Sequence, residues 1–192
     1  MYWEKFKDKI INLQSDLSLF KAEFLDRDGF KRFVDNLVSE VGGCGEICIT
    51  GYFSETIREA LEIIITRKHI VKLICPEFPL QSKRDRMNLE ALNKLALKGA
   101  KIKVNNRLHA RFLVAHSPDL VEVTGEVRGL LVIGSFDFNT ECIGRERYDA
   151  GIKTTHPDLI QSAVKLFDRI WEEPESESLY EKYPTGRRIG SV

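Results

Sequence analysis

The sequence predicts an α/β protein with a mixed, mainly parallel β-sheet, helices on both faces and a helical extension at the N-terminus. Three observations lead to this fold class. Apolar runs of strand length alternate with helical stretches from residue 46 to residue 106. Two later apolar runs are joined by a polar loop, as the strands of a hairpin are. Apolar residues also recur with helical spacing near the N-terminus. Strand–helix alternation with short links favours parallel strands between two helical layers.

Residues 1–27 are predicted to form a long amphipathic helix. Its apolar side chains form a narrow seam, which consists of Trp3, Phe6, Ile10, Leu13, Leu17, Phe20 and Phe24. Such a seam packs on the core of its own domain or also meets a partner subunit, and the sequence leaves both alternatives open. Asp28 is then predicted to cap a second helix, which the glycine-rich residues 42–45 end.

The remaining elements follow in order. Buried strands are predicted over residues 46–53, 71–77 and 100–106, with helices between them that run from Ser54 to about His69 and over residues 84–99. The later strands are residues 108–116, 129–138 and 147–155, and Pro157 opens a last helix. We therefore expect one domain over residues 28–173 and a polar, loosely attached tail over residues 174–192.

Composition excludes several classes of protein. The 29 basic and 29 acidic residues balance, so strong electrostatic capture of nucleic acid by the whole chain is not expected. No run approaches the roughly 20 apolar residues of a membrane span. The N-terminus carries charges where a signal peptide is apolar. We therefore expect a cytoplasmic protein that has no membrane partner.

The cysteines favour neither a metal site nor a disulfide framework. Cys44, Cys48, Cys75 and Cys142 contain no Cys-x-x-Cys pair, and no second ligand pair follows the first two. Isolated thiols in a reducing compartment are typical of buried structural residues. The sequence therefore predicts no metal ligands and no cofactor.

Phosphate chemistry is indicated by a cluster of polar residues on the late strands. His109 and Arg111 lie two residues apart in a predicted strand, which places both side chains on one face. A guanidinium binds phosphate oxygens, and an imidazole attacks phosphorus or protonates a leaving oxygen. One histidine cannot do both, because nucleophile and acid lie on opposite sides of an in-line displacement. The odd offset from His109 turns His116 to the other face, where it is predicted to be a surface residue.

These residues resemble those of the phospholipase D superfamily. Members carry a histidine–lysine–aspartate motif followed by a Gly-Ser step, and this chain has His109-Ala110-Arg111 and later Gly134-Ser135. The resemblance covers roughly residues 28–172. Arg111 stands in place of the family's lysine, His116 in place of its aspartate and Asp137 in place of an asparagine.

The resemblance implies a metal-independent phosphodiesterase, similar to the small single-motif bacterial nucleases, that acts through a phosphohistidine in a homodimeric site. His109 of each of two copies would be nucleophile and acid, and nucleic acid is the expected substrate class. Arg111, Ser135 and Asn139 would bind the phosphate. Asp149 would accept a hydrogen bond from the ring of His109.

A catalytically inactive phospholipase D-like module is the alternative. Such a module would bind phosphate-containing ligands, other small ligands or partner proteins in a sensing or scaffolding role. Arg111 would then pair with Asp137 or Asp149 instead of a phosphate. A carboxylate in a phosphate pocket repels the substrate, so an Arg111–Asp137 ion pair would mark an inactive site.

Overall fold

The computed structural model describes residues 22–53, 55–119, 128–138 and 149–184. Its strands are β1 (Ala22–Leu25), β2 (Glu46–Thr50), β3 (Ile70–Cys75), β4 (Lys101–Asn105), β5 (Phe112–His116), β6 (Gly129–Gly134), β7 (Gly151–Thr154) and β8 (Ser176–Ser178). Its helices are α1 (Arg27–Asp35), α2 (Leu37–Glu40), α3 (Glu55–Thr66), α4 (Lys83–Leu97), α5 (Pro157–Glu172) and α6 (Leu179–Lys182).

The described strands form one mixed sheet in the order β1-β7-β6-β5-β2-β3-β4-β8. Only β2–β3 and β3–β4 pair in parallel, and the other neighbours are antiparallel. The prediction of a mainly parallel sheet is therefore wrong. The strand–helix–strand pattern extends only from β2 to β4. Beyond β4, the strands β5, β6 and β7 pair antiparallel with their neighbours, and the β5–β6 pair is antiparallel as the sequence predicted.

Helices cover both faces of the sheet, as predicted, and each face has its own apolar core. On one face α1 to α4 bury Phe30, Leu37, Leu61 and Leu92 against strand residues such as Ile49 and Leu73. On the other face α5 buries Ile160 and Phe167 against Phe112, Val114 and Leu131. Alternate residues of β2 and β5 therefore face opposite layers, and both strands are buried along their whole length.

The N-terminal prediction is wrong where the structure describes it. Ala22–Leu25 forms edge strand β1, paired antiparallel with β7, instead of the end of a helix. Phe24 points to solvent and Leu25 is buried, which is the alternation of a strand. The N-cap of α1 is Asp26 and not Asp28, because the Asp26 carboxylate accepts from the N–H of Gly29 at 2.7 Å. The predicted seam from Trp3 to Phe20 lies outside the described residues.

The predicted C-terminal tail is in part an ordered element of the fold. β8 pairs with β4, and Leu179 at the start of α6 is fully buried. The Tyr183 hydroxyl accepts from the N–H of Phe78 at 2.7 Å and donates to its carbonyl oxygen at 3.0 Å. The polar composition of this segment predicts a loose tail, but its polar groups make specific hydrogen bonds within the fold. Residues 185–192 lie outside the described part.

Candidate active site

His109 and Arg111 lie just before β5, not on it, because the strand begins at Phe112. The segment that leads to His109 forms a turn. In this turn the Asn105 side chain accepts from the N–H of Arg107, and the Asn105 carbonyl accepts from the N–H of Leu108. His109 is exposed and Arg111 half-buried. Both line an open groove of about 440 Å³, together with Gly51, Tyr52, Pro76, Glu77, Asn106, Leu108 and Ala110.

The Arg111 guanidinium is held by the segment that follows β6. Its Nε lies 2.7 Å from Oδ1 of Asp137, and its Nη1 donates to the carbonyl oxygen of Ser135 at 3.3 Å. Of the two pairings that the sequence left open, Asp137 is therefore the partner. The guanidinium therefore lines the groove with its charge balanced by a carboxylate.

Asp137 is aimed at Arg111 by its two phenylalanine neighbours. Phe136 and Phe138 are buried, and Phe136 stacks on Phe30 of α1 with ring centroids 4.1 Å apart. Alternation in an extended segment then turns Asp137 the opposite way. Phe-Asp-Phe directly after Gly-Ser is the sequence signal for this arrangement.

Ser135 and Asp149 meet across the ends of β6 and β7. The Ser135 hydroxyl donates to Oδ1 of Asp149 at 2.7 Å and accepts from the N–H of Ala150 at 3.2 Å. Asp149 was predicted to hold the ring of His109, and the structure gives its carboxylate Ser135 as partner instead. The predicted phosphate ligand Asn139 lies outside the described residues.

Gly134 permits this close approach of β6 and β7. A Cβ on Gly134 would lie 2.5 Å from the carbonyl oxygen of Ala150 and 2.8 Å from the Cα of Gly151, its cross-strand partner. Real Cβ atoms do not come so near a backbone, so only glycine fits here. The Gly-Ser step is therefore required for Ser135 to reach Asp149.

The other three histidines lie at the opposite end of the sheet from His109. His116 ends β5, whereas His109 precedes it. His69 precedes β3. Because β3 runs parallel to β2 and β2 runs antiparallel to β5, β3 begins at the end of the sheet where β5 finishes. His156 follows the last residue of β7, and β7 begins at the site. His116 is also buried, at 8 % exposed, so its prediction as a surface residue is wrong.

A larger groove of about 680 Å³ also lies at that opposite end. Lys153, which lines this groove, is already paired with Glu23 at 3.0 Å and Glu40 at 3.3 Å. The groove beside His109 is smaller, but it holds the residues with phosphate chemistry, so we take it as the candidate site.

Comparisons with known proteins agree with this fold. The family described as cardiolipin synthase, PLD-like domain, matches residues 46–171. Because that match spans more than half of the chain, the protein belongs to the phospholipase D superfamily, which is of phosphodiesterase type. No curated protein matches the sequence. Among the described residues, no helix is long and apolar enough to cross a membrane.

Solved structures show the same fold at low sequence identity. The phospholipase D family member Nuc from Salmonella typhimurium has a TM-score of 0.60 at 16 % identity, over 83 % of this chain and 96 % of its own. NucT from Helicobacter pylori has a TM-score of 0.61 at 15 % identity, over 83 % and 99 %. TrmBL2, described as an archaeal chromatin protein with a novel mode of DNA binding, has a TM-score of 0.51 at 12 % identity, over 92 % and 62 %.

Proposed function

We propose that this chain hydrolyses phosphodiesters without a metal, with His109 as the nucleophile in a site shared by two copies of the chain. The observation that carries the proposal is the placement of an exposed histidine, a half-buried arginine and the Gly-Ser step at one end of the sheet. Family membership supports the same chemistry.

The reaction would take two displacements. A ring nitrogen of His109 attacks phosphorus and forms a P–N bond, while the P–O bond to the leaving alcohol breaks. The leaving oxygen takes its proton from protonated His109 of the second copy. Water then attacks the phosphohistidine and gives its proton to that second histidine, so the P–N bond breaks and a phosphomonoester leaves. A second copy supplies the acid because this chain has no other histidine at that end of the sheet.

Arg111 would hold the non-bridging oxygens with its guanidinium, in competition with the carboxylate of Asp137. Ser135 would join only by turning its hydroxyl from Asp149 to a phosphate oxygen. Asp149 would therefore position Ser135, and Asn139 remains a proposed third ligand of the phosphate.

A row of exposed apolar residues beside the site supports contact between two copies. Phe24, Ile152 and Ile133 are cross-strand neighbours on β1, β7 and β6, and they are 71 %, 48 % and 47 % exposed. They share the sheet face of α5, and Ile133 directly precedes Gly134. Exposed apolar rows of this kind mark protein interfaces, and this one adjoins the site that the mechanism needs to pair.

Nucleic acid is the substrate class that we propose. The chain resembles small nucleases of the superfamily in sequence. The solved structures with its fold include TrmBL2, whose description gives it DNA binding. Specific phosphate contacts would have to supply the affinity, since the formal net charge is +0.

The first experiment is hydrolysis of bis(p-nitrophenyl) phosphate in EDTA by the wild type, His109→Ala and His69→Ala. The last variant removes a histidine from the opposite end of the sheet and serves as the matched control. We expect activity in the wild type and His69→Ala and its loss in His109→Ala. Acid-labile phosphorylation at His109 would identify the intermediate. Equal activity in all three chains would contradict the proposal.

The second candidate is a module that binds a ligand without turnover, and the Arg111–Asp137 pair favours it. The Asp137 carboxylate lies beside the arginine, so an incoming phosphate meets local negative charge. Absence of hydrolysis by the wild type, on this substrate and on DNA and RNA, would support this candidate.

A further inference from the structure

Three metal-ligating side chains meet at the end of the sheet opposite His109. Glu46 and Cys48 lie two residues apart on β2, so they point to the same face. His116 on β5 lies directly opposite Glu46 in the antiparallel ladder. One ligand atom from each residue lies within 4.8 Å of the other two, and all three residues are buried.

The imidazole of His116 is unpartnered within this cluster. Its Nε2 is buried and has no hydrogen-bond partner among the described residues, and it lies 4.0 Å from Oε1 of Glu46. The whole residue is only 8 % exposed. A buried ring nitrogen without a partner is costly, which makes it a strong indication that something binds there.

We propose that Glu46, Cys48 and His116 form a binding site for a thiophilic divalent cation of the Zn²⁺ type. Thiolate, imidazole and carboxylate are the ligands that Zn²⁺ takes in proteins, at about 2.0–2.3 Å. Tetrahedral geometry at those lengths separates ligand atoms by roughly 3.5 Å. The Sγ of Cys48 already lies 3.3 Å from Oε1 of Glu46. Shifts of about one ångström therefore suffice, and water would fill the fourth position.

The charges around the site are compatible with a dication. Lys72 pairs with Oε1 of Glu46 at 2.7 Å, and Asp168 of α5 acts on the cluster through its charge. Binding displaces the Lys72 ammonium from Glu46 and releases one proton from the Cys48 thiol to solvent. One thiolate and one carboxylate then balance the two positive charges of the metal.

This site is independent of the proposed phosphodiesterase chemistry. Arg111 precedes β5 and His116 ends it, and the strand is five residues long. At 3.4 Å per residue, the two residues are roughly 17 Å apart. A metal here would tie β2 to β5 beneath α5. It would not touch the groove beside His109, so EDTA should remove it without abolishing hydrolysis.

The test is titration of the metal-free full-length chain with Co²⁺ and then Zn²⁺ under reducing conditions. We expect a thiolate-to-cobalt charge-transfer band that Zn²⁺ bleaches. The band should be lost in Cys48→Ser and retained in the matched controls Cys44→Ser and Cys142→Ser. Absence of the band in the wild type, or its persistence in Cys48→Ser, would overturn the site.

A second pair of measurements guards against variants that misfold. Zn²⁺ should raise the Tm of the wild type and leave that of His116→Gln unchanged. Lys72→Met removes the competing ammonium and should bind Co²⁺ at least about tenfold more tightly, or about 1.4 kcal/mol. A Zn²⁺-induced Tm increase in His116→Gln equal to the wild type, or weaker Co²⁺ binding by Lys72→Met, would contradict the assignment.

Discussion

Arg111 and Asp137 form an ion pair, with Nε and Oδ1 2.7 Å apart, at the mouth of the candidate active site. The side chains are 37 % and 14 % exposed, so the carboxylate is the more buried partner. The pair joins the segment before β5 to the segment after β6. It also places a negative charge where a phosphodiester would bring another. The balance between a catalytic site and a binding module therefore depends on this one carboxylate.

Replacement of Asp137 by asparagine tests that dependence. Asp137→Asn keeps the size of the side chain and removes the charge that repels phosphate. We expect kcat/KM for bis(p-nitrophenyl) phosphate to rise about tenfold, equivalent to about 1.4 kcal/mol. The exposed Asp35→Asn is the matched control and should leave the rate unchanged. A fall in kcat/KM specific to Asp137→Asn would show that the carboxylate positions Arg111 productively.

Gly134 should tolerate no side chain. Gly134→Ala puts a Cβ 2.5 Å from the carbonyl oxygen of Ala150 and forces β6 and β7 apart. We expect it to lower the free energy of unfolding by at least ~2 kcal/mol, as overpacked backbone contacts do. Gly43→Ala meets nothing within 4 Å and should stay within about 0.5 kcal/mol of the wild type. Urea denaturation measures both, and equal stability of the two variants would contradict the close approach.

The exposed row on β1, β7 and β6 should carry the contact between copies. Ile152→Glu charges a side chain that is 48 % exposed, so the monomer should still fold. We expect light scattering to show dimers for the wild type and monomers for Ile152→Glu, with hydrolysis lost together with the dimer. Leu97→Glu, at an 80 % exposed position on α4, is the control and should remain dimeric. A dimeric Ile152→Glu would place the contact elsewhere.

Lys153 should give the fold a stabilising contribution that disappears in alkali. Burial alone would lower its pKa, but hydrogen bonds to Glu23 and Glu40 raise it above the usual value of 10.5. Because the folded pKa is the higher one, the contribution is full below pH 10.5 and is lost as the pH rises through the folded value. Lys153→Met should cost about 0.5–1 kcal/mol at neutral pH.

That cost should shrink as the pH passes the folded pKa of Lys153. Urea denaturation of the wild type and Lys153→Met across this range measures it. The exposed Lys101→Met is the control and should show little cost at either end. A cost for Lys153→Met that is independent of pH would mean that only its aliphatic stem matters.

Tyr183 should show that the C-terminal segment belongs to the folded domain. Tyr183→Phe removes the hydroxyl that bonds to both backbone groups of Phe78. We expect a loss of about 1–2 kcal/mol, the usual cost of leaving such groups unpaired. Tyr180→Phe removes a hydroxyl from a 45 % exposed side chain and should be neutral. Equal stability of both variants in urea would indicate that the C-terminal segment is only loosely attached to the domain.

Local pattern located the longer helices and the interior strands. Apolar periodicity located β2, β3, β4, α3, α4 and α5, because each of these buries a continuous apolar face that does not depend on its neighbours. It failed at the two ends. Residues 22–25 fit the helical seam and residues 176–178 look polar, yet both form edge strands. An edge strand forms because the neighbouring strand offers unpaired backbone N–H and C=O groups. The local sequence of the edge segment carries no signal for those groups.

The candidate site residues were chosen from the sequence, but their contacts could not be. His109 and Arg111 followed from side-chain chemistry and spacing, and Ser135 and Asp149 from the resemblance to the phospholipase D superfamily. The choice of Asp137 over Asp149 as the partner of Arg111 depends on Phe136 and Phe138, which pack into the core and turn Asp137 towards the guanidinium.

The sequence by itself determined the α/β class, the hairpin of β5 and β6, and the residue types available for phosphate chemistry, because composition and periodicity are local. Only the tertiary structure decided that most of the sheet is antiparallel, that His116 is buried opposite Glu46, and that Ser135 bonds to Asp149. Each of these depends on strand register between segments far apart in the chain, and register is fixed by the joint packing of two cores on one sheet.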